Sequence, residues 1–424
     1  MVRDHGNTPT LPRTRRAPAM ILAAAAIVVA LLIVLRGAPP VRAAPGVASG
    51  TAAATAKKKP SALTRCLRRA RKGRTRRLRA ARRRACLRAE ARRRAALARP
   101  PGAALIGVAA GGAIHNEDPA TLGRDLNAIQ RLHAGWLRVD INWATIQDHG
   151  PTSYNWAPID RVVQGATARG LKVLGTIGYT PGWARPAGSA ATHNPDPVQY
   201  AAFAATATRH YAAMGVHSYE VWNEPNQSGA WTPKPDPAAY TLLLKAAYPA
   251  IKAADPQATV MTGGTGPAPN DGTQIAPLDF LNAVYANGGA GFFDAVAHHP
   301  YTFPAYPGEA QNWSPWYQMY GTAPSLRSLM IAHGDGAKKI WATEFGAPTN
   351  GPSGSHVSEA IQASMYTKAI AAWRRYTWAG PLFFFQGRDM GSNTSSRENF
   401  FGFLRYDFSP KPAYAALQVA IAGR

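Results

Sequence analysis

Two glutamates stand out because each closes a short apolar run. Glu224 lies in Val221-Trp222-Asn223-Glu224-Pro225-Asn226, and Glu344 lies in Trp341-Ala342-Thr343-Glu344-Phe345-Gly346. Two carboxyls brought face to face suit the hydrolysis of a glycosidic bond. One protonates the leaving oxygen, and the other attacks or stabilises the oxocarbenium-like centre. A separation of about 5–5.5 Å gives retention through a covalent intermediate, and roughly 6.5–9.5 Å gives inversion. Mutual repulsion helps keep one carboxyl protonated while the other is ionised. The residues alone do not assign the two roles.

The glutamates are 120 residues apart, so their meeting depends on the elements that carry them. From Ala103 short apolar runs alternate with longer amphipathic ones. The apolar runs begin near residues 104, 135, 171, 218, 259, 293, 339 and 381. Helical patterns fill 119–133, 157–168, 196–214, 236–254, 277–286, 323–333, 358–376 and 411–422. Strict strand–helix alternation implies parallel β-α-β units. Eight units predict an α/β fold, a closed (β/α)8 TIM barrel over residues 100–424. A doubly wound open sheet is the competing architecture, but no glycine-rich phosphate turn follows the first strand. In such a barrel Glu224 ends the fourth strand and Glu344 the seventh, so they face each other across the mouth.

The strings YEVWNEPN, WATEFG and SPKPAYAAL resemble clan A of the glycoside hydrolases, closest to family 39 and the cellulase-like family 5. The resemblance covers about residues 104–422. It implies Glu224 as acid/base and Glu344 as nucleophile. It also implies that Asn223 bonds a sugar 2-hydroxyl and that Arg138 supports the nucleophile. His298-His299-Pro300-Tyr301 matches the clan's His-x-Tyr, which would put Tyr301 on the nucleophile and His299 in the sugar site. Strand eight departs from the pattern. It reads Phe384-Phe385-Gln386-Gly387-Arg388-Asp389 where many members have a Trp platform. Gln386 or Arg388 would then replace that platform with hydrogen bonds.

Other readings stand beside these. Arg138 could instead pair structurally with Asp140 or Glu220, and His298 could be a packing residue. Loop aromatics suit a carbohydrate cleft: Trp143, Tyr179, Trp183, Trp231, Tyr306, Trp313, Trp316 and Tyr317. Trp183 and Trp231 are the leading candidates, because both closely follow strand ends. The long aromatic stretch from Thr302 to Thr322 is expected to wall the cleft. No metal or other cofactor is expected, since no third ligand clusters with the histidines.

The formal charge of +25 is concentrated at the N-terminus. Residues 57–99 hold 20 Lys or Arg against Glu90 alone, whereas residues 100–424 carry only +1. Whole-chain nucleic-acid binding is therefore not expected. Residues 1–43 read as an export signal or a retained signal anchor: arginines, an apolar run over 17–35, then small residues. Residues 44–63 read as a flexible linker. Residues 64–99 read as a basic helical segment, with Gly73 placed to turn a hairpin that brings Cys66 and Cys86 together. The segment is expected to solubilise the chain or to attach it to anionic envelope polymers or lipid head groups. It has no aromatics to stack on bases. The expectation is an exported, secreted or membrane-anchored retaining glycosidase with a poly- or oligosaccharide substrate. The rivals are an idle carbohydrate-binding barrel and an envelope-attached structural protein.

Overall fold

The computed structural model describes residues 62–71, 75–97 and 104–423. The expected export segment over 1–43 and nearly all of the linker lie outside the described residues. Among the described residues, no helix is long and apolar enough to cross a membrane. Residues Pro60–Arg424 form one compact unit. The basic segment forms α1 (Ala62–Ala70) and α2 (Arg76–Leu97), bridged by a Cys66–Cys86 disulfide. Every described arginine from Arg65 to Arg88 is exposed.

Eight parallel strands follow: β1 (Ile106–Ala109), β2 (Trp136–Asn142), β3 (Lys172–Gly178), β4 (Ser218–Asn223), β5 (Thr259–Gly264), β6 (Ala295–His298), β7 (Lys339–Phe345) and β8 (Ala379–Phe385). Each pairs with the next and β8 closes on β1, which rules out the open doubly wound sheet. The outer helices are α3 (Pro119–Arg131), α5 (Ala157–Ala168), α6 (Pro197–Ala212), α7 (Pro237–Ala254), α8 (Pro277–Ala286), α10 (Leu326–Ala332), α11 (Glu359–Trp373) and α12 (Pro412–Ala422). Two short helices, α4 (Trp143–Ile146) and α9 (Pro315–Gln318), lie in the connections. Local chemistry sets the starts of α3, α6 and α7. Asp118, Asp196 and Asp236 each accept two backbone N–H bonds, and a proline follows each one.

The barrel interior is layered. Towards the N-terminal ends of the strands it is aromatic, with Trp136 and Trp341 edge-on at 5.2 Å and Phe383 against both. Gly107 and Gly380 leave room for these rings, since a Cβ on Gly380 would collide with Trp341. Above this layer lie polar side chains: Arg138, Thr176, Glu220 and Thr343.

Two strand ends break the regular alternation of side chains. The β7–β8 register shifts between Ala342 and Phe345. Phe345 turns outwards onto Trp316 and Tyr366, so Glu344 is left facing the mouth. In β4, Trp222 has φ +73° and packs towards Tyr200 and Trp231, and Glu224 has φ +46°. Left-handed backbone costs a non-glycine residue about 1–3 kcal/mol and gathers at functional sites. Here it frees Asn223 and Glu224 to point into the mouth.

Lys411, 1% exposed, ties the β8 loop to the rest of the barrel. It donates to Asp389 Oδ1 at 2.8 Å, Thr349 Oγ1 at 2.7 Å and the Phe400 carbonyl at 3.1 Å. Burial pushes the Asp389 carboxyl up to about 6, against the pull of Lys411. Lys411→Met would strand a buried carboxylate. A stability loss of about 3–5 kcal/mol is expected in chemical denaturation. Adding Asp389→Asn should recover part of it.

Candidate active site

Arg138 projects inwards from β2 and organises the mouth. Its Nε donates to Glu220 Oε2 at 2.7 Å, one terminal nitrogen to Glu344 Oε1 at 2.6 Å, and the other to Asn223 Oδ1 at 2.7 Å. Glu220 is fully buried and takes four hydrogen bonds from four strands. Arg138 and Thr176 Oγ1 donate to Oε2, and Gly264 N–H and Thr343 Oγ1 donate to Oε1. Both sequence readings of Arg138 therefore coexist: a structural pair with Glu220 and a direct bond to Glu344. Burial works against the guanidinium charge, but Glu220, Glu344 and Asp140 more than offset it and hold its pKa above the usual value.

Glu344 also accepts from the Tyr301 hydroxyl at 2.7 Å. Burial pulls its carboxyl up, but the His299 and Arg138 charges and the Tyr301 bond together hold it below the usual value. His299 is fully buried. Its Nδ1 lies 2.9 Å from Glu224 Oε1 and 3.6 Å from Glu344 Oε2. Burial would lower its pKa, yet the two glutamates more than offset this and raise it, and Nδ1 lies within hydrogen-bonding distance of Glu224. Single ligand atoms of Glu224, His299 and Glu344 all lie within 4.8 Å of one another. That geometry could hold a cation, but the Arg138 guanidinium already supplies positive charge to Glu344 there.

Space for this cluster comes from residues without side chains. A Cβ on Gly264 would collide with His299 and Glu220, and one on Gly266 would collide with Glu224 and Gln227. Above the cluster opens a cleft of about 760 Å³. Phe385, Phe401 and Phe303 form one wall, with Phe385 and Phe401 in edge contact at 5.4 Å. Asp140 and Tyr179 lie on another side, and Trp313, 54% exposed, stands at the rim.

The model of the cellulase family, glycosyl hydrolase family 5, matches residues 115–379, more than half of the chain. The chain belongs to glycosyl hydrolase family 5. Among solved structures it is similar to a family 39 glycoside hydrolase from Bacteroides cellulosilyticus WH2, at 25% identity and a TM-score of 0.60. That match covers 76% of this chain and 64% of the other. It is also similar to a family 39 enzyme from Xanthomonas axonopodis pv. citri, at 20% identity and a TM-score of 0.58, covering 76% and 66%. A third is a subfamily GH5_18 protein from Streptomyces cattleya in complex with GlcNAc, at 19% identity and a TM-score of 0.53, covering 75% and 80%. The chain thus spans just under two thirds of the length of the first two. No curated protein matches it.

Within this family 5 barrel, Glu224, Glu344, Asn223, Arg138 and Tyr301 converge on the cleft. Four expectations need correction. His299 lies beneath the cleft, behind the glutamates, and does not line it. Trp231 is 1% exposed, because its loop folds back and lays the ring between Trp222 and Tyr240. Trp183 packs on Trp143 and donates its indole N–H to the Gln147 carbonyl at 2.7 Å. Gln386, 2% exposed, lines a neighbouring cavity instead. Arg388, the other suggested substitute for the platform, is held by Glu117 and Asp125. Of the remaining loop aromatics, Trp143 and Trp316 are core residues, while Tyr179 and Trp313 reach the cleft. His298 packs against Thr265 and the Pro315 carbonyl.

Several cleft residues were not foreseen: Phe385, Phe401, Gln227, Gln274, Arg397 and Glu398. Phe385 occupies the strand-eight end that the sequence singled out. The others lie outside the strands and the outer helices, where no periodicity points to them.

The pH dependence of stability follows from Glu344 and His299. The folded pKa of Glu344 lies below its unfolded value, so its contribution is complete above about pH 4.3 and is lost as pH falls through the folded value. That of His299 lies above its unfolded value, so its contribution is complete below about pH 6.5 and is lost as pH rises through the folded value. This pair is thus expected to stabilise most between about pH 4.3 and 6.5. His299→Gln should flatten the alkaline decline of Tm in a scan against pH. An unchanged slope would assign that decline to other groups.

Proposed function

We propose that the protein is a retaining O-glycosidase that cleaves β-linked poly- or oligosaccharides by double displacement. One observation carries this reading: oxygens of Glu224 and Glu344 lie within 4.8 Å. That spacing fits the roughly 5–5.5 Å of retaining pairs and is too short for the roughly 6.5–9.5 Å that admits a water between inverting carboxyls.

The roles follow from the partners. Glu344 is held ionised by Arg138 and Tyr301, which suits a nucleophile. It attacks the anomeric carbon while Glu224 gives its proton to the leaving oxygen, and a glycosyl ester forms on Glu344. Glu224 then takes a proton from water. The water oxygen bonds to the anomeric carbon, and the Glu344 carboxylate departs. Asn223, fixed by Arg138, lies beside the nucleophile, where a sugar 2-hydroxyl would bind.

We also place the protein outside the cytoplasm, secreted or anchored. The basic, apolar N-terminus and the Cys66–Cys86 bridge support this. Its exposed arginines suit attachment to an anionic envelope polymer or lipid surface.

Glu344→Ala should abolish hydrolysis of aryl β-glycosides, and azide should partly restore turnover with an α-glycosyl azide as product. Glu224→Gln should lose about 10²–10⁴-fold in kcat, least with activated leaving groups. With Glu224→Ala, azide should give the β-azide. Full activity in Glu344→Ala would overturn the mechanism.

A further inference from the structure

The double-displacement scheme leaves one carboxylate at the base of the cleft without a task. Asp140 lies two residues beyond Arg138 on β2, on the same inward face. An ionised carboxylate has about four acceptor positions. Glu220, deeper in the same barrel, receives four hydrogen bonds. Among the described residues Asp140 receives only one, from the Tyr179 hydroxyl at 3.2 Å. A half-buried carboxylate so poorly supplied by the protein is costly unless a ligand supplies donors.

The surroundings keep space for that ligand. Asp140 lines the cleft, and Gly111 and Gly112 line it beside Asp140 with no side chains. A Cβ on Gly112 would lie 3.2 Å from Asp140 Oδ2. The charge of Arg138 is already directed to Glu220 and Glu344. The cleft also holds Glu224, Glu344 and Glu398 against one further cation, Arg397, which is paired with Glu398, so an additional anion is disfavoured. The reacting carbon must sit between Glu224, just past β4, and Glu344 on β7. Asp140 stands on β2, two strands round from β4 and three from β7, and lines the same cleft.

We propose that Asp140 recognises the glycone by accepting hydrogen bonds from two neighbouring hydroxyls remote from the reacting carbon, so that the site takes neutral, fully hydroxylated sugars and rejects deoxy and uronic ones. The proposal rests on the glycosidase reading above. It makes Asp140 a specificity residue that takes no part in bond breaking.

The test pairs deletions in the protein with deletions in the substrate. The parent is whichever 4-nitrophenyl β-glycoside is turned over fastest among the glucoside, galactoside, mannoside and xyloside. It is compared with its 3-deoxy and 4-deoxy analogues. Asp140→Ala should cost about 100-fold in kcat/KM on the parent but only about tenfold on either analogue, because one partner is then already missing. Asp140→Asn, which keeps the shape, should favour 4-nitrophenyl β-glucuronide over the parent by about tenfold relative to wild type. Equal losses on parent and analogues would overturn the proposal and leave the glycosidase reading standing. If no glycoside is hydrolysed, calorimetric titration of Glu344→Gln with the same glycosides replaces kinetics, with the same pattern expected in Kd. Absence of any binding there would overturn both readings.

Discussion

The structure depends most on one buried ion pair, Arg138 with Glu220. Two charges inside a barrel are expensive unless every lone pair and proton is matched. Here each contact does a second task. Glu220 gathers donors from β2, β3, β5 and β7, and Arg138 spends its remaining nitrogens on Asn223 and Glu344. The same guanidinium therefore pins the barrel layer, orients the Asn223 amide and biases a carboxylate towards its ionised form. Removing either partner would leave an uncompensated charge at the centre of the molecule.

Irregular geometry then sets the aim of the two glutamates at the mouth. A regular strand sends successive side chains to opposite faces. Continued strictly, that rule would turn Glu344 away from the mouth. The shifted β7 register and the left-handed residues around Asn223 override it. Glycines on the β5 end allow the crowding that results. Gly264 and Gly266 stand where Glu220, His299 and Glu224 need room. The aromatic layer below supplies the rigidity against which such strain can be held.

Much of this was legible in the sequence. Alternating apolar and amphipathic runs located all eight strands and the outer helices, because parallel β-α-β units impose that rhythm. Glu224 and Glu344 were visible because strand-end position and residue type coincide in both. What failed was the aim of individual aromatic rings. Trp183 and Trp231 follow strand ends as cleft residues do, but a loop can fold its indole back onto the core, and composition does not distinguish the two outcomes. The loop residues of the cleft were hidden for the same reason. Asp140 was read only as a partner for Arg138, since its short supply of donors is a property of three-dimensional neighbours.

The wiring of Glu220 also bears on how such a barrel can be assembled. Cut between β4 and β5, the chain would yield two half-barrels. The first would keep Glu220 with Arg138 and Thr176, and the second would carry the Gly264 amide and Thr343. Neither fragment could satisfy the central carboxylate alone, and the first would also lack Glu344. Closure of the ring is thus the step that completes the electrostatics. A duplicated or swapped half would have to bring matching donors to one buried oxygen before it could replace its counterpart.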